Sequence, residues 1–85
     1  GVAGREPGAA ERVEHEEELT RLGRAMLGLA PDQRAILMLR DLHELDYRQI
    51  AGTLETPVGT VKSRLFRARV ALREAIERLE GGADG

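Results

Sequence analysis

Apolar residues recur along the chain with helical spacing, and no stretch alternates as a strand would. In the first segment Leu19, Leu22, Met26 and Leu29 are spaced 3, 4 and 3, which predicts a helix over about Glu11 to Gly28 with one apolar face. Its start is rich in Glu14, Glu16, Glu17 and Glu18, which suits the positive end of a helix dipole. Pro31 breaks the chain and opens a second helix at its first turn, running to about Arg40. Ala35, Leu39 and Leu42 line one side of it, with Ile36 and Met38 widening the stripe. Asp46, with Gln49 three residues on, makes a capping box that starts a short third helix at Tyr47, ending near Thr53. Thr56 or Pro57 opens the fourth helix, whose stripe is Val61, Leu65, Ala68, Leu72, Ala75 or Ile76, and Leu79.

A short helix, a tight turn and a longer helix make a helix-turn-helix. Ile50 and Leu54 are placed to pack against Val61 and Leu65, and Ala51 is small enough to let the two helices cross closely. The expected fold is all-α: a four-helix domain over residues 11–80, with a long C-terminal recognition helix. Residues 1–10 and 81–85, rich in Gly and small residues, are expected to be flexible tails.

Composition narrows the function classes. The 85 residues allow one small domain. With no Cys there is no disulfide framework, thiolate metal site or cysteine nucleophile. No apolar run approaches the roughly 20 residues that span a bilayer, and neither a basic start nor an apolar stretch marks a signal peptide. A cytoplasmic domain with no membrane partner is the expectation. The chain begins with Gly rather than Met, as expected of a fragment or a processed product.

Net charge is −2, but its distribution is uneven. Residues 57–73 carry five cations and no acid, between segments that are both net acidic. On a wheel of about 100° per residue, Gly59, Lys62, Ser63, Phe66, Arg67 and Val70 lie opposite the core stripe, and Arg64 and Arg69 flank it. Those residue types suit a major groove. Arg and Lys can reach guanine O6 and N7 or phosphates, Ser63 can bond a base edge, and Phe66 can pack on a thymine methyl. The helix N-terminus, with Thr60 beside it, offers N–H groups to a phosphate. Cations opposite an apolar stripe are more often a plain solvated face. The acid-free run and the outward Phe66 argue against that, although Phe66 could also cover a neighbouring helix or a partner protein.

An enzyme is not expected. There is one Ser, and no glycine-rich phosphate loop. His15, among Glu residues, and His43, in a turn, are expected to be solvated rather than metal ligands, and no cofactor or small-molecule substrate is indicated. Capping accounts for Asp41, Glu44 and Asp46. Met26 and Met38 fall at core spacing.

Three blocks carry a family resemblance: Leu29-Ala-Pro-Asp-Gln-Arg-Ala-Ile-Leu-Met-Leu-Arg-Asp-Leu, Leu45-Asp-Tyr-Arg-Gln-Ile-Ala, and Pro57-Val-Gly-Thr-Val-Lys-Ser-Arg-Leu-Phe-Arg-Ala-Arg. Together they resemble the C-terminal domain, conserved region four, of bacterial RNA polymerase sigma factors of the extracytoplasmic-function group. The resemblance implies recognition of the promoter −35 element in transcription initiation. It implies RNA polymerase core as a partner, its beta-subunit flap gripping the apolar side, and an anti-sigma factor that holds the domain inactive. Carried over by position, the recognition helix is Val58 to about Arg69. Lys62, Ser63, Phe66 and Arg67 then face bases, Arg64, Thr60 and the helix N-terminus with Val58 and Gly59 hold phosphate, Arg69 flanks the face, and Tyr47 and Arg40 are candidates for DNA-backbone contacts from the preceding helices. The family's other DNA-binding domain is not among these residues, so this chain alone is not expected to initiate transcription.

The chain departs from the pattern where Gly is common: Glu44 and Glu55, with Thr56 at an apolar place. Glu55 is expected in a left-handed conformation costing roughly 1 kcal/mol, with its charge near the DNA side. Two other functions remain open. A sigma-like decoy would bind an anti-sigma factor and no DNA. A response-regulator helix-turn-helix would dimerise on symmetric half-sites.

Overall fold

The computed structural model describes residues 8–84, with side chains over 8–81. Four helical segments pack into a flat domain with principal extents of 52 × 40 × 15 Å.

Helix α1 (Ala9–Leu27) starts two residues before the predicted position, inside the stretch expected as a tail. The rest of that stretch, residues 1–7, lies outside the described residues. Only Ala25 of α1, and Leu29 just beyond it, are buried, and Met26 is half-buried. Leu19 and Leu22 stay exposed in the wall of an open groove, while α1 packs on α4 (Val58–Asp84).

Helix α2 (Pro31–Leu37) has Pro at its first turn, and Gln33 Oε1 accepts the Ala30 N–H at 3.3 Å. It continues as a π-helical turn over Met38–Leu42, closed by the His43 N–H donating to the Met38 carbonyl at 3.0 Å. Here the sequence pattern misleads. Ile36 and Leu37 are the buried residues, whereas Ala35, Met38 and Leu42 are exposed and Leu39 is half-buried. Ile36 and Leu37 are adjacent, and both join the core cluster that α4 anchors. The wider π turn also shifts the angular register of everything beyond Met38.

Helix α3 (Tyr47–Leu54) opens on the predicted capping box: the Gln49 N–H donates to Asp46 Oδ1 and the Asp46 N–H to Gln49 Oε1, both at 2.8 Å. It closes in a Schellman turn. The Thr56 N–H donates to the Ala51 carbonyl at 2.9 Å and the Glu55 N–H to that of Gly52 at 3.4 Å, with Glu55 left-handed at φ 52°, ψ 52°. Glu44, before α3, is left-handed too, at φ 55°. Both acids therefore occupy the backbone conformation that the usual Gly adopts at no steric cost. Of the three acids attributed to capping, only Asp46 caps a helix.

Helix α4 (Val58–Asp84) supplies the spine of the core through Val61, Leu65, Ala68 and Ala75. Ile50 and Val61, both 0% exposed, join α3 to it, with Ala51 buried and Leu54 half-buried beside them. Each such buried aliphatic side chain contributes roughly 1.5–3 kcal/mol. Leu79, expected in the stripe, is exposed, although Ile76 and Glu80 on either side of it still border α1. The helix also continues through Gly81 to Asp84, where a tail is expected. A glycine stops a helix by turning left-handed, and among the described residues no glycine has positive φ.

Candidate nucleic-acid interface

The Schellman turn at Glu55 sets the direction in which α4 leaves α3. Pro57 then opens α4: its carbonyl accepts from Thr60 and Val61 at 3.0 and 3.1 Å. The N–H groups of Val58 and Gly59, at the start of the helix, have no helical partner and carry the positive end of its dipole. Gly59 is exposed, and a Cβ there would meet nothing within 4 Å. Its φ is not positive, so the fold itself does not require glycine at this position.

The outward face of α4 is formed as the wheel predicts. Lys62, Ser63, Arg64, Phe66 and Arg67 are exposed, and Phe66 is 70% exposed. A phenyl ring presented so fully to solvent has no role in the core. Val58 is exposed at the start of the same face and Thr60 is half-buried. Val70 is also half-buried, so the far side closes at its C-terminal end. Ser63 Oγ donates to the Thr60 carbonyl at 3.1 Å and must turn outward to meet another acceptor. Lys62, Arg64 and Arg67 form no ion pair among the described residues.

Arg64 and Arg67 also line a shallow cleft of about 270 Å³ with Asp32, Gln33 and Ile36 of α2. The sequence did not show this neighbour. Two guanidinium groups at the rim of a cleft can hold a phosphate, while Asp32 limits how negative a group can enter.

The flanking candidates are engaged inside the fold. Arg69 forms a bidentate pair with Asp41, Nη1 to Oδ2 at 2.9 Å and Nη2 to Oδ1 at 3.1 Å. The hydrogen bond to Asp41 raises the Arg69 pKa above its ordinary value, so the guanidinium stays charged. Arg40 Nη1 donates to the Leu45 carbonyl at 3.1 Å, and its guanidinium carbon lies 5.7 Å from the centre of the Tyr47 ring, within cation–π range. Periodicity carries no signal for either contact, since both depend on how the π turn carries Arg40 and Asp41.

The opposite side holds an apolar groove of about 440 Å³ between α1 and α2, lined by Leu19, Leu22, Met26, Leu37, Met38, Leu42 and Leu72. Leu42 is 66% exposed at its edge. Arg34 and Asp41 are the charged residues of its lining. His15 and His43 are exposed. Among the described residues no helix is long and apolar enough to cross a membrane.

Comparison with known proteins agrees with this geometry. The family model for Sigma-70, region 4 matches residues 19–72, from the last turns of α1 to the middle of α4. The ECF RNA polymerase sigma-E factor of Escherichia coli is 39% identical over 80 residues, covering 93% of this chain and 42% of the relative. The same protein of Salmonella typhi matches equally. The RNA polymerase sigma-H factor of Pseudomonas aeruginosa is 47% identical over 51 residues, 60% of this chain and 26% of the relative. The chain thus spans less than half the length of these relatives. With its helix-turn-helix in place and the family model covering most of the domain, the chain belongs to the Sigma-70 region 4 family, the helical domain found in the ECF sigma factors it matches.

Proposed function

We propose that this chain recognises the promoter −35 element as the region-four domain of an extracytoplasmic-function sigma factor that directs RNA polymerase to transcription initiation in the cytoplasm. It does so by binding, without catalysis. The observation that carries the proposal is the outward face of α4, where Lys62, Ser63, Phe66 and Arg67 stand exposed on a helix with no acid between residues 57 and 73. Lys62 and Arg67 read base edges in the major groove, Phe66 packs on a methyl or sugar, and Ser63 supplies a hydroxyl. The N–H groups of Val58 and Gly59, Thr60, and the Arg64 side chain hold phosphate, and the open space at Gly59 admits close approach. The apolar groove at Leu42 suits the beta-subunit flap of polymerase, since it faces away from the recognition surface and is lined almost wholly by aliphatic side chains. An anti-sigma factor competing for that groove fits the same chemistry.

Arg67→Ala tests the assignment. As a base contact it weakens binding to the promoter duplex by about 1–3 kcal/mol and relaxes sequence preference. An equal loss on scrambled DNA would make Arg67 a phosphate contact. No DNA binding by the wild-type chain, together with tight anti-sigma binding, would make the domain a decoy.

A further inference from the structure

Given the DNA-binding role proposed above, on which this rests, we infer that Arg69 is a positioning residue rather than a DNA contact: through Asp41 it clamps the elbow between α2 and α3 onto the recognition helix. The elbow needs such a clamp. From Met38 the backbone leaves the α-helical ladder for a π turn, the Leu45 N–H reaches back to the Leu39 carbonyl at 3.1 Å, and Glu44 is left-handed. Burial cannot fix this segment, because Asp41, Leu42, His43 and Glu44 are all exposed.

Side chains hold it from two sides. Arg40 ties the Leu45 carbonyl and the Tyr47 ring, anchoring the start of α3. Asp41, the next residue, reaches 28 positions along the chain to Arg69 on α4. A bidentate guanidinium–carboxylate pair fixes the relative plane of the two groups as well as their separation. Its side chains are 48% and 53% exposed, so its contribution to stability is small and its effect is directional. Arg69 also lies on the flank of α4 beside the core stripe, and it would have to give up both hydrogen bonds to reach a phosphate. Lys62, Arg64 and Arg67 form no such pair among the described residues.

The two roles differ in the sign of one substitution. If Arg69 contacts DNA, Asp41→Ala frees its charge and tightens binding. If Arg69 positions the helix, Asp41→Ala weakens binding. The experiment measures fluorescence anisotropy of the 85-residue chain on a duplex selected by it from random sequence, and on a scrambled duplex, across a salt series. Asp41→Ala and Arg69→Ala are each expected to weaken the selected duplex by up to about 5-fold, the most that a half-exposed ion pair can supply. The double alanine variant is no worse than either, and the charge swap D41R/R69D recovers most of the loss. The slope of log affinity on log salt stays unchanged. Tighter binding by Asp41→Ala, or a slope lowered by about 0.9 in Arg69→Ala alone, overturns the inference.

Amide hydrogen exchange at Leu45 in the free chain separates the clamp from the DNA role. Faster exchange in both single variants, restored by the swap, supports the clamp even if no duplex is selected, in which case only the DNA-binding role fails. Unchanged exchange overturns the clamp.

Discussion

Replacing Glu55 by Gly should make the domain more stable, although it removes a side chain and adds chain entropy. Glu55 sits at φ 52°, ψ 52° in the turn between α3 and α4. There its Cβ crowds the following carbonyl at a cost of roughly 1–2 kcal/mol. Glycine relieves that strain but loses more backbone freedom on folding, about 0.5–1 kcal/mol. Glu55 is exposed and makes no side-chain hydrogen bond among the described residues, so little packing is lost. The Thr56 N–H to Ala51 carbonyl bond that closes the turn uses backbone alone and survives the change. The carboxylate lies at the unfavourable C-terminal end of α3, three residues before the favourable N-terminal end of α4, so the two dipole effects oppose each other. The net expectation for Glu55→Gly is a gain of about 0.5–1 kcal/mol. For a domain of this size that is a rise in Tm of roughly 2–8 °C. Urea and thermal unfolding followed by circular dichroism measure it, with Glu55→Gln separating charge from backbone. Glu55→Gly unfolding at or below the wild-type midpoint, with Glu55→Gln unchanged, would refute the strain argument.

Other substitutions probe the remaining links. Ile50→Ala empties a fully buried site between α3 and α4, and a loss of about 2–5 kcal/mol in urea unfolding is expected. Asp46→Ala removes one half of the capping box and should cost about 1 kcal/mol, read as faster amide exchange at Gln49. Phe66→Ala should leave unfolding within about 0.5 kcal/mol, as for an exposed side chain, while weakening promoter DNA in the same anisotropy assay. A comparable loss of stability would mean that the ring packs inside the fold.

The features legible in the sequence are those governed by local rules. The Asp46–Gln49 box, the Val61–Leu65–Ala68 stripe, the left-handed Glu55 and the outward Phe66 each follow from spacing or from backbone sterics within a turn or two. The illegible features depend on what lies across the fold. The π turn rotates Leu42 out of the stripe that a regular helix assigns it. Ile36 and Leu37 are adjacent yet both enter the core against α4, which a single helical stripe does not show. Leu19 and Leu79 have core spacing but stay exposed, Leu19 in the wall of the apolar groove rather than in the core. Asp41 looks like a capping residue until α4 brings Arg69 to it from 28 positions away. Helix extent at the C-terminus was obscured because Gly81 carries no signal of the backbone conformation it adopts.

The most direct test of promoter recognition by α4 is an NMR titration of the labelled 85-residue chain with a selected promoter duplex and a scrambled duplex at low salt. Shifts centred on Lys62, Ser63, Phe66 and Arg67, larger for the selected sequence and weakened by added salt, are the predicted result. Shifts absent from these residues up to millimolar DNA, or equal for both duplexes, would contradict it.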